Sequence, residues 1–555
     1  MAEYNDMASD MRDRLNAVSP SMCLAKWLQV SLHLPQGMTQ SCYHPPTHSV
    51  PLEELAVNPG ALHNTKFKIH ERKQMLEGKR PEGCSYCWKI EDAEGDHLSD
   101  RHYRSSEWWS APDFETVTGN PPDWDVKPRY VEVNFNQACN FKCMYCSPHL
   151  STSWQEEIER WGGYKLKGLE HNNIAALEQR KMMPLKVASK ENPYVQAFWQ
   201  WWPEVYSNLR VFRMTGGEPL MDANTFKVLD YVYEHPHKNL ELSITSNMCP
   251  PDQKLFDKFL EKVKRLDSVD YSTECYVADP LDGTDWQTWQ NYIIGADMKE
   301  YHRSVLPSIE RSDIKQTFPE VGQCTETDNN SFTYMYNYKD KAYKHFMLYV
   351  SLDGVGAQAE YMRTGMDFNR LLDNVRTFLR ETRHTSVSFI NTFNIMSIPS
   401  LQSFMEMILE LRREFGGRAQ TTAEGVPMIE SDVKPFQRIW FDIPLLRYPP
   451  WFSVQNAGAW GINSVENVLK YIEENVQGED YLETFEGFKP YEILKLKRDL
   501  AIMKQPLPVE QQITNKTNFY LFIREYDRRR GTKFTQTFPE LAQFYQECLT
   551  IATRQ

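Results

Sequence analysis

Three cysteines close the stretch Cys139-Asn140-Phe141-Lys142-Cys143-Met144-Tyr145-Cys146, which follows directly on the strand-like run YVEVNF at 130–135. No other feature limits the fold so tightly. A loop leaving the end of a strand can aim all three sulfurs at one point, and thiolates are soft ligands that suit iron–sulfur clusters. A [4Fe–4S] cube normally takes four thiolates. No fourth cysteine lies nearby, so one iron would stay open to bind and polarise a small molecule. The same spacing also fits part of a zinc site or a set of buried thiols, and the downstream sequence has to decide.

The stretch resembles the C-x3-C-x-aromatic-C signature of the radical SAM superfamily, with Tyr145 as the aromatic. In that family the open iron chelates the methionine end of S-adenosylmethionine. An electron from the cluster then breaks the sulfonium to give a 5′-deoxyadenosyl radical. Further matches follow in family order, each at the end of a strand-like run. LRVFRM at 209–214 leads into Thr215-Gly216-Gly217-Glu218-Pro219, similar to the Gly-Gly-Glu-Pro segment that holds the cofactor's ammonium. An ammonium needs acceptor oxygens, which such a turn provides. Glu218 reads either as a direct contact or as a structural hydrogen-bonding residue. LELSITSN at 240–247 puts Ser246 and Asn247 where the family sets small polar side chains against the cofactor's carboxylate or ribose.

Ser351-Leu352-Asp353-Gly354, with Tyr361-Met362-Arg363-Thr364-Gly365 beyond it, resembles a fourth-strand motif of the same enzymes. The resemblance makes Ser351 and Asp353 cofactor contacts and Arg363 a partner for the cofactor's carboxylate. The plainer reading is a turn former and a helix-surface ion pair. Asn394, ending VSFINTFN at 387–394, is a candidate ribose contact.

Upstream, Cys23, Gly37, Cys42 and Cys84-Ser85-Tyr86-Cys87 give a C-x13-G-x4-C pattern followed by C-x2-C. This resembles the twitch domain, a shortened SPASM domain holding one auxiliary [4Fe–4S] cluster. The glycine lets backbone with positive φ approach a cluster closely. Four thiolates leave no iron vacant, which implies electron transfer rather than substrate ligation. Zinc also accepts four cysteines, so that alternative stands. In most relatives this domain follows the barrel, whereas here it precedes it. His44 and His48 read as loop histidines, because Pro45 and Pro46 prevent the helix that would align them.

At 555 residues the chain exceeds a single core. Its 41% hydrophobic, 13% aromatic and 25% charged residues are those of a globular protein. A net charge of −13 argues against a broad phosphate-binding surface, so nucleic acid is not an expected partner. The acidic N-terminus has no apolar core for a signal peptide, and no long apolar run suggests a membrane span, which together point to the cytoplasm. Eleven cysteines are too sparse for a disulfide scaffold.

The expected architecture is α/β: a partial (β/α)6 TIM-like radical SAM barrel, a small N-terminal cluster-binding domain and a helical C-terminal extension. Residues 1–19 read as a loose leader, 20–115 as the twitch-like domain, 126–447 as the barrel and 455–555 as the extension. Insertions fall at about 151–208 and 267–343, the latter carrying the isolated Cys275 and Cys324. Trp108, Trp109 and Trp124 read as packing anchors, and Arg528-Arg529-Arg530-Gly531 as a solvated helix end. The expected cofactors are two [4Fe–4S] clusters and S-adenosylmethionine, and the expected reductant is a flavodoxin or ferredoxin. The expected substrate is a peptide, a protein or a small carbohydrate or nucleotide. A zinc-stabilised binding protein without catalysis is the competing reading.

Overall fold

The structure, a computed structural model, describes residues 2–278, 292–295, 300–302, 321–326, 331–415, 437–476 and 486–554. It is a mixed α/β protein built on one central sheet. The strands, in chain order, are β1 (Gln29–His33), β2 (Met38–Gln40), β3 (His48–Ser49), β4 (Tyr130–Asn134), β5 (Val211–Thr215), β6 (His237–Ser246), β7 (Tyr343–Ser351), β8 (Thr385–Ile390) and β9 (Ile439–Asp442). Their order across the sheet is β9-β8-β7-β6-β5-β4-β1-β2-β3. From β4 to β9 each strand pairs in parallel with the next in sequence. The six strands read from the sequence are therefore all present, in the expected order.

Period-two alternation gives this sheet two unlike faces. Val131, Phe212, Ile244, Leu348 and Phe389 are fully buried on one side, where helices cover them. The other side carries Glu132, Arg213, Ser243 and Met347, which lie in register across four strands. The covering helices follow the same logic at period 3.6. The helix Gln253–Leu266 buries Phe256, Phe259, Val263 and Leu266 and turns its charges outward. Aspartates cap the helices that follow β5, β6 and β7: Asp222, Asp252 and Asp367 each accept a backbone N–H of the first turn. Between β6 and β7, Val269–Ala278 and Ser331–Asp340 pair antiparallel in a second sheet. The expected insertion at 267–343 lies only partly within the described residues, and the side chains of Cys275 and Cys324 lie outside them.

Three expectations need correction. The loose leader is helix α1 (Ala2–Val18), whose Ala8, Met11 and Leu15 are buried. Their i, i+3, i+7 spacing makes an apolar stripe inside a polar sequence. The N-terminal cysteine segment, expected as a small domain over 20–115, shares the central sheet, because β1 pairs parallel to β4 and β2 and β3 extend that edge. The basic run at 528–530 is no solvated end, since the side chains of Arg529 and Arg530 are 2% and 5% exposed and both pair with Glu157. Gly531 does cap the helix Val509–Arg530 in the left-handed region, as its sequence suggests. Among the described residues no helix is long and apolar enough to cross a membrane.

Leu15→Ala tests the first correction. It should cost about 2–5 kcal/mol through the cavity left under α1. Trypsin should then cleave at Arg12 and Arg14 sooner than in the parent protein.

Candidate metal and cofactor site

The three-cysteine loop leaves the C-terminal end of β4 and is gripped from every side. Lys142–Cys143 pairs antiparallel with Arg363–Thr364. The Trp154 indole N–H donates to the Cys143 carbonyl at 2.9 Å, and Ser151 Oγ donates to the Phe141 carbonyl at 2.7 Å. Ser153 Oγ donates to the Cys139 carbonyl at 2.8 Å, and Asn172 Nδ2 to that of Cys146 at 3.2 Å. A buried loop needs its backbone polar groups satisfied, and these side chains do it. Burial pushes all three thiols up, Cys146 to about 12. Bound metal would have to displace those protons.

The Gly-Gly turn packs on this loop. Gly216 has φ +124, and a Cβ there would meet Asn134 Oδ1 at 2.2 Å. At Gly217 a Cβ would meet the Ala138 carbonyl oxygen at 2.3 Å, and Glu218 N donates to that same carbonyl at 2.6 Å. The glycines thus serve contact between two loops. Glu218 is 1% exposed and accepts from Ser246 Oγ at 2.7 Å, Asn247 N at 2.7 Å and Leu220 N at 3.0 Å. Pro219 begins the short 3-10 turn that Glu218 caps. Of the two readings of Glu218, the structural one describes its side chain. Asn247 Nδ2 donates to Asn140 Oδ1 at 3.0 Å, which ties the end of β6 to the cysteine loop.

Asp353, fully buried after β7, anchors the other side. It pairs with Arg363 Nε at 2.8 Å and accepts from Arg363 Nη2 at 3.0 Å, Tyr145 OH at 2.8 Å and Thr392 N at 2.9 Å. Arg363 also donates from Nη2 to Tyr145 OH and from Nη1 to Cys143 Sγ, the latter at 3.5 Å. Its guanidinium is therefore engaged by Asp353, Tyr145 and a cysteine sulfur. Ser351 is the last residue of β7, half-buried at the same end of the sheet. Asn394 uses its amide within its own loop, donating to the Thr392 carbonyl at 2.7 Å and accepting from Met396 N at 2.9 Å.

The sequence reading missed Glu157. Its carboxylate accepts from Tyr164 OH at 2.7 Å and pairs with Lys142 at 3.2 Å, Arg529 at 3.5 Å and Arg530 at 2.9 Å. It fastens the C-terminal helix behind the cysteine loop. Its place on the inner side of an amphipathic helix, beside Trp154 and Ile158, was the available signal.

Cys23, Cys42, Cys84 and Cys87 line one cavity together with Lys26 and Arg101. Burial pushes Cys42 up to about 12 and Cys84 to about 11. His44, in a loop, meets Asp100 at 2.5 Å and stacks on Tyr86, while His48, the first residue of β3, bonds Thr65 at 3.1 Å. A second cavity of about 280 Å³ lies on the polar face of the sheet, among Tyr130, Arg213, His345 and Tyr349. Tyr43 and Arg104 line both cavities. The two cysteine sets thus stand at opposite ends of β4: Tyr130 at its start meets Tyr43, and Asn134 at its end leads toward Cys139. Among the described residues no three His, Cys, Asp or Glu side chains close on a single ion.

No protein-family model matches the chain. Among curated proteins it is similar to GTP 3',8-cyclases: 24% identical over 196 residues to that of Trichormus variabilis and 25% over 200 residues to that of Nostoc sp.. Each match covers 33% of this chain and 50% of the relative, so the chain spans about half the length of the curated relatives it matches. That likeness agrees with the chain's resemblance to the radical SAM superfamily. Streptococcus suis SuiB, solved bound to its precursor peptide SuiA, overlaps 70% of this chain and 60% of its own. At 9% identity and a TM-score of 0.25 that overlap carries no argument.

Two predictions follow from the packing. Asp353→Ala strands a buried guanidinium and should cost about 3–5 kcal/mol, read as a lowered melting temperature. Glu218 gives a pH signature. Burial pushes its carboxyl up from 4.5 to about 7, outweighing its three donors. The folded state favours the protonated form, so this stability is complete below about pH 4.5 and is lost as pH rises through about 7. Glu218→Gln, neutral throughout, should flatten the melting temperature of the metal-free protein between about pH 5 and 8 relative to the parent.

Proposed function

We propose that this protein is a radical SAM enzyme, built as a partial six-stranded barrel, that cleaves S-adenosylmethionine reductively. One observation carries the reading. The three-cysteine loop meets the ends of β5, β6 and β7 through Gly217, Asn247 and Asp353, so the three motifs after the cysteines gather at the C-terminal ends of these parallel strands. A [4Fe–4S] cluster held by Cys139, Cys143 and Cys146 would supply the electron that breaks the sulfonium and so starts hydrogen-atom abstraction from a substrate.

This chain's own residues then have definite tasks. The cysteines hold the cluster as thiolates. Arg363, donating to Cys143 Sγ, favours the charged sulfur. Trp154, fully buried against the loop, keeps water from its backbone. Gly216 and Gly217 fix the turn whose carbonyls remain as acceptors for an ammonium. The polar cavity with Arg213 and Tyr349 is the natural place for a substrate group, a peptide side chain or a small molecule. Cys23, Cys42, Cys84 and Cys87, beside that cavity, would hold an auxiliary cluster able to accept the electron that a substrate radical gives up on oxidation. A flavodoxin- or ferredoxin-type reductant in the cytoplasm supplies the first cluster.

The test is anaerobic reconstitution. The protein should bind about eight irons, as two four-iron cubes, and release 5′-deoxyadenosine with dithionite. Cys143→Ala should lose about four irons and all of that product. Zinc in place of iron, or no deoxyadenosine from the fully loaded protein, would sink the reading.

A further inference from the structure

Behind the N-terminal cysteine set lies a layer of buried cations that the proposed reaction leaves unused. Lys26, Lys68 and Arg72 are 3%, 0% and 0% exposed. Lys26 lines the cysteine cavity beside Cys84 and pairs with Glu71 at 2.7 Å. The Lys68 ammonium donates to Thr39 Oγ1 at 2.8 Å, a neutral acceptor. The Arg72 guanidinium donates to Asn64 Oδ1 at 2.8 Å and the Lys26 carbonyl at 3.4 Å and meets His63 Nε2 at 3.0 Å, all neutral as well. Among the described residues Glu71 pairs with Lys26 alone, Asp125 lies near Arg72, and burial together with Arg72 and Lys26 pushes the Lys68 ammonium well below an ordinary lysine.

Buried charge in such excess is costly unless an anion sits beside it. The cavity is where that anion would stand. Four thiolates on a [4Fe–4S] core of charge +2 leave a net −2, which would favour the charged forms of Lys26, Lys68 and Arg72. Four thiolates on zinc give the same net charge, so the layer fits either metal. Only the iron centre can accept a further electron, and a low-dielectric site rich in positive charge favours the more negative, reduced form.

We infer that Lys26, Lys68 and Arg72 are a built-in counter-charge for the centre on Cys23, Cys42, Cys84 and Cys87, and that they raise its reduction potential so that it acts as an electron acceptor. The inference rests on the auxiliary-cluster reading. The step would be a one-electron reduction of the cluster by the substrate radical, which is oxidised by that electron, with no bond made or broken at the cluster and no proton taken up there.

The experiment uses the full chain carrying Cys139→Ala, Cys143→Ala and Cys146→Ala, so that any iron–sulfur signal comes from the N-terminal set. Iron content is measured first, and a potentiometric titration with dithionite is then followed by electron paramagnetic resonance. Adding Lys68→Met should lower the potential. At the parent midpoint the reduced-to-oxidised ratio should fall about ten-fold, equivalent to 59 mV for one electron. Lys68→Arg, which keeps the charge, should restore it, and Lys26→Gln should move it the same way as Lys68→Met. Four irons bound with an unshifted potential in both Lys68→Met and Lys26→Gln would overturn the inference alone. Zinc, or no metal, at this set would overturn the cluster reading and the inference with it.

Discussion

A carboxylate sealed from water decides where the three cysteines stand. Asp353 cannot be buried without partners, and it takes them from three separate places: Tyr145 within the cysteine loop, Arg363 beyond β7 and the Thr392 backbone after β8. Tyr145 and Asp353 are 208 residues apart in sequence, so this contact closes the site across most of the sheet. Arg363 passes the constraint to Cys143 directly. The arginine that resemblance would have assigned to a ligand carboxylate is held by the protein's own carboxylate, and its remaining donor faces a sulfur.

Much of this was legible because it depends on local rules. Alternation marked β4 to β9, since a strand between a helical layer and a polar interior must alternate. Gly216 and Gly217 were legible as a tight turn, but not for their reason. Only the three-dimensional arrangement brings the Asn134 side chain and the Ala138 carbonyl within reach of a would-be Cβ. Glu218 was left between two roles because its three donors come from two segments, Leu220 within the turn and Ser246-Asn247 about 28 residues on.

What stayed hidden was charge turned inward. Lys68, Arg72, Glu157 and Arg529 lie on helices, where charged side chains ordinarily face solvent, and sequence shows the type of a side chain and not what waits opposite it. Glu157 is satisfied by residues up to 373 positions away. Helix α1 was overlooked for a related reason: its apolar stripe is one residue wide, and only the indole-rich cluster around Trp88 and Trp109 gives it something to bury against. Asn394 sat at the expected strand end, but local turn chemistry engages its amide, as asparagine commonly does in loops.

The parallel pairing of β1 with β4 joins Gln29 to Tyr130 and His33 to Asn134. A nascent chain therefore exposes all four N-terminal cysteines once Cys87 is made, yet it lacks the neighbouring strand that seats them until Asn134 has left the ribosome. At about 5–20 residues per second, that interval lasts roughly 2–10 seconds. Through it the thiols stand open to oxidants and stray metals.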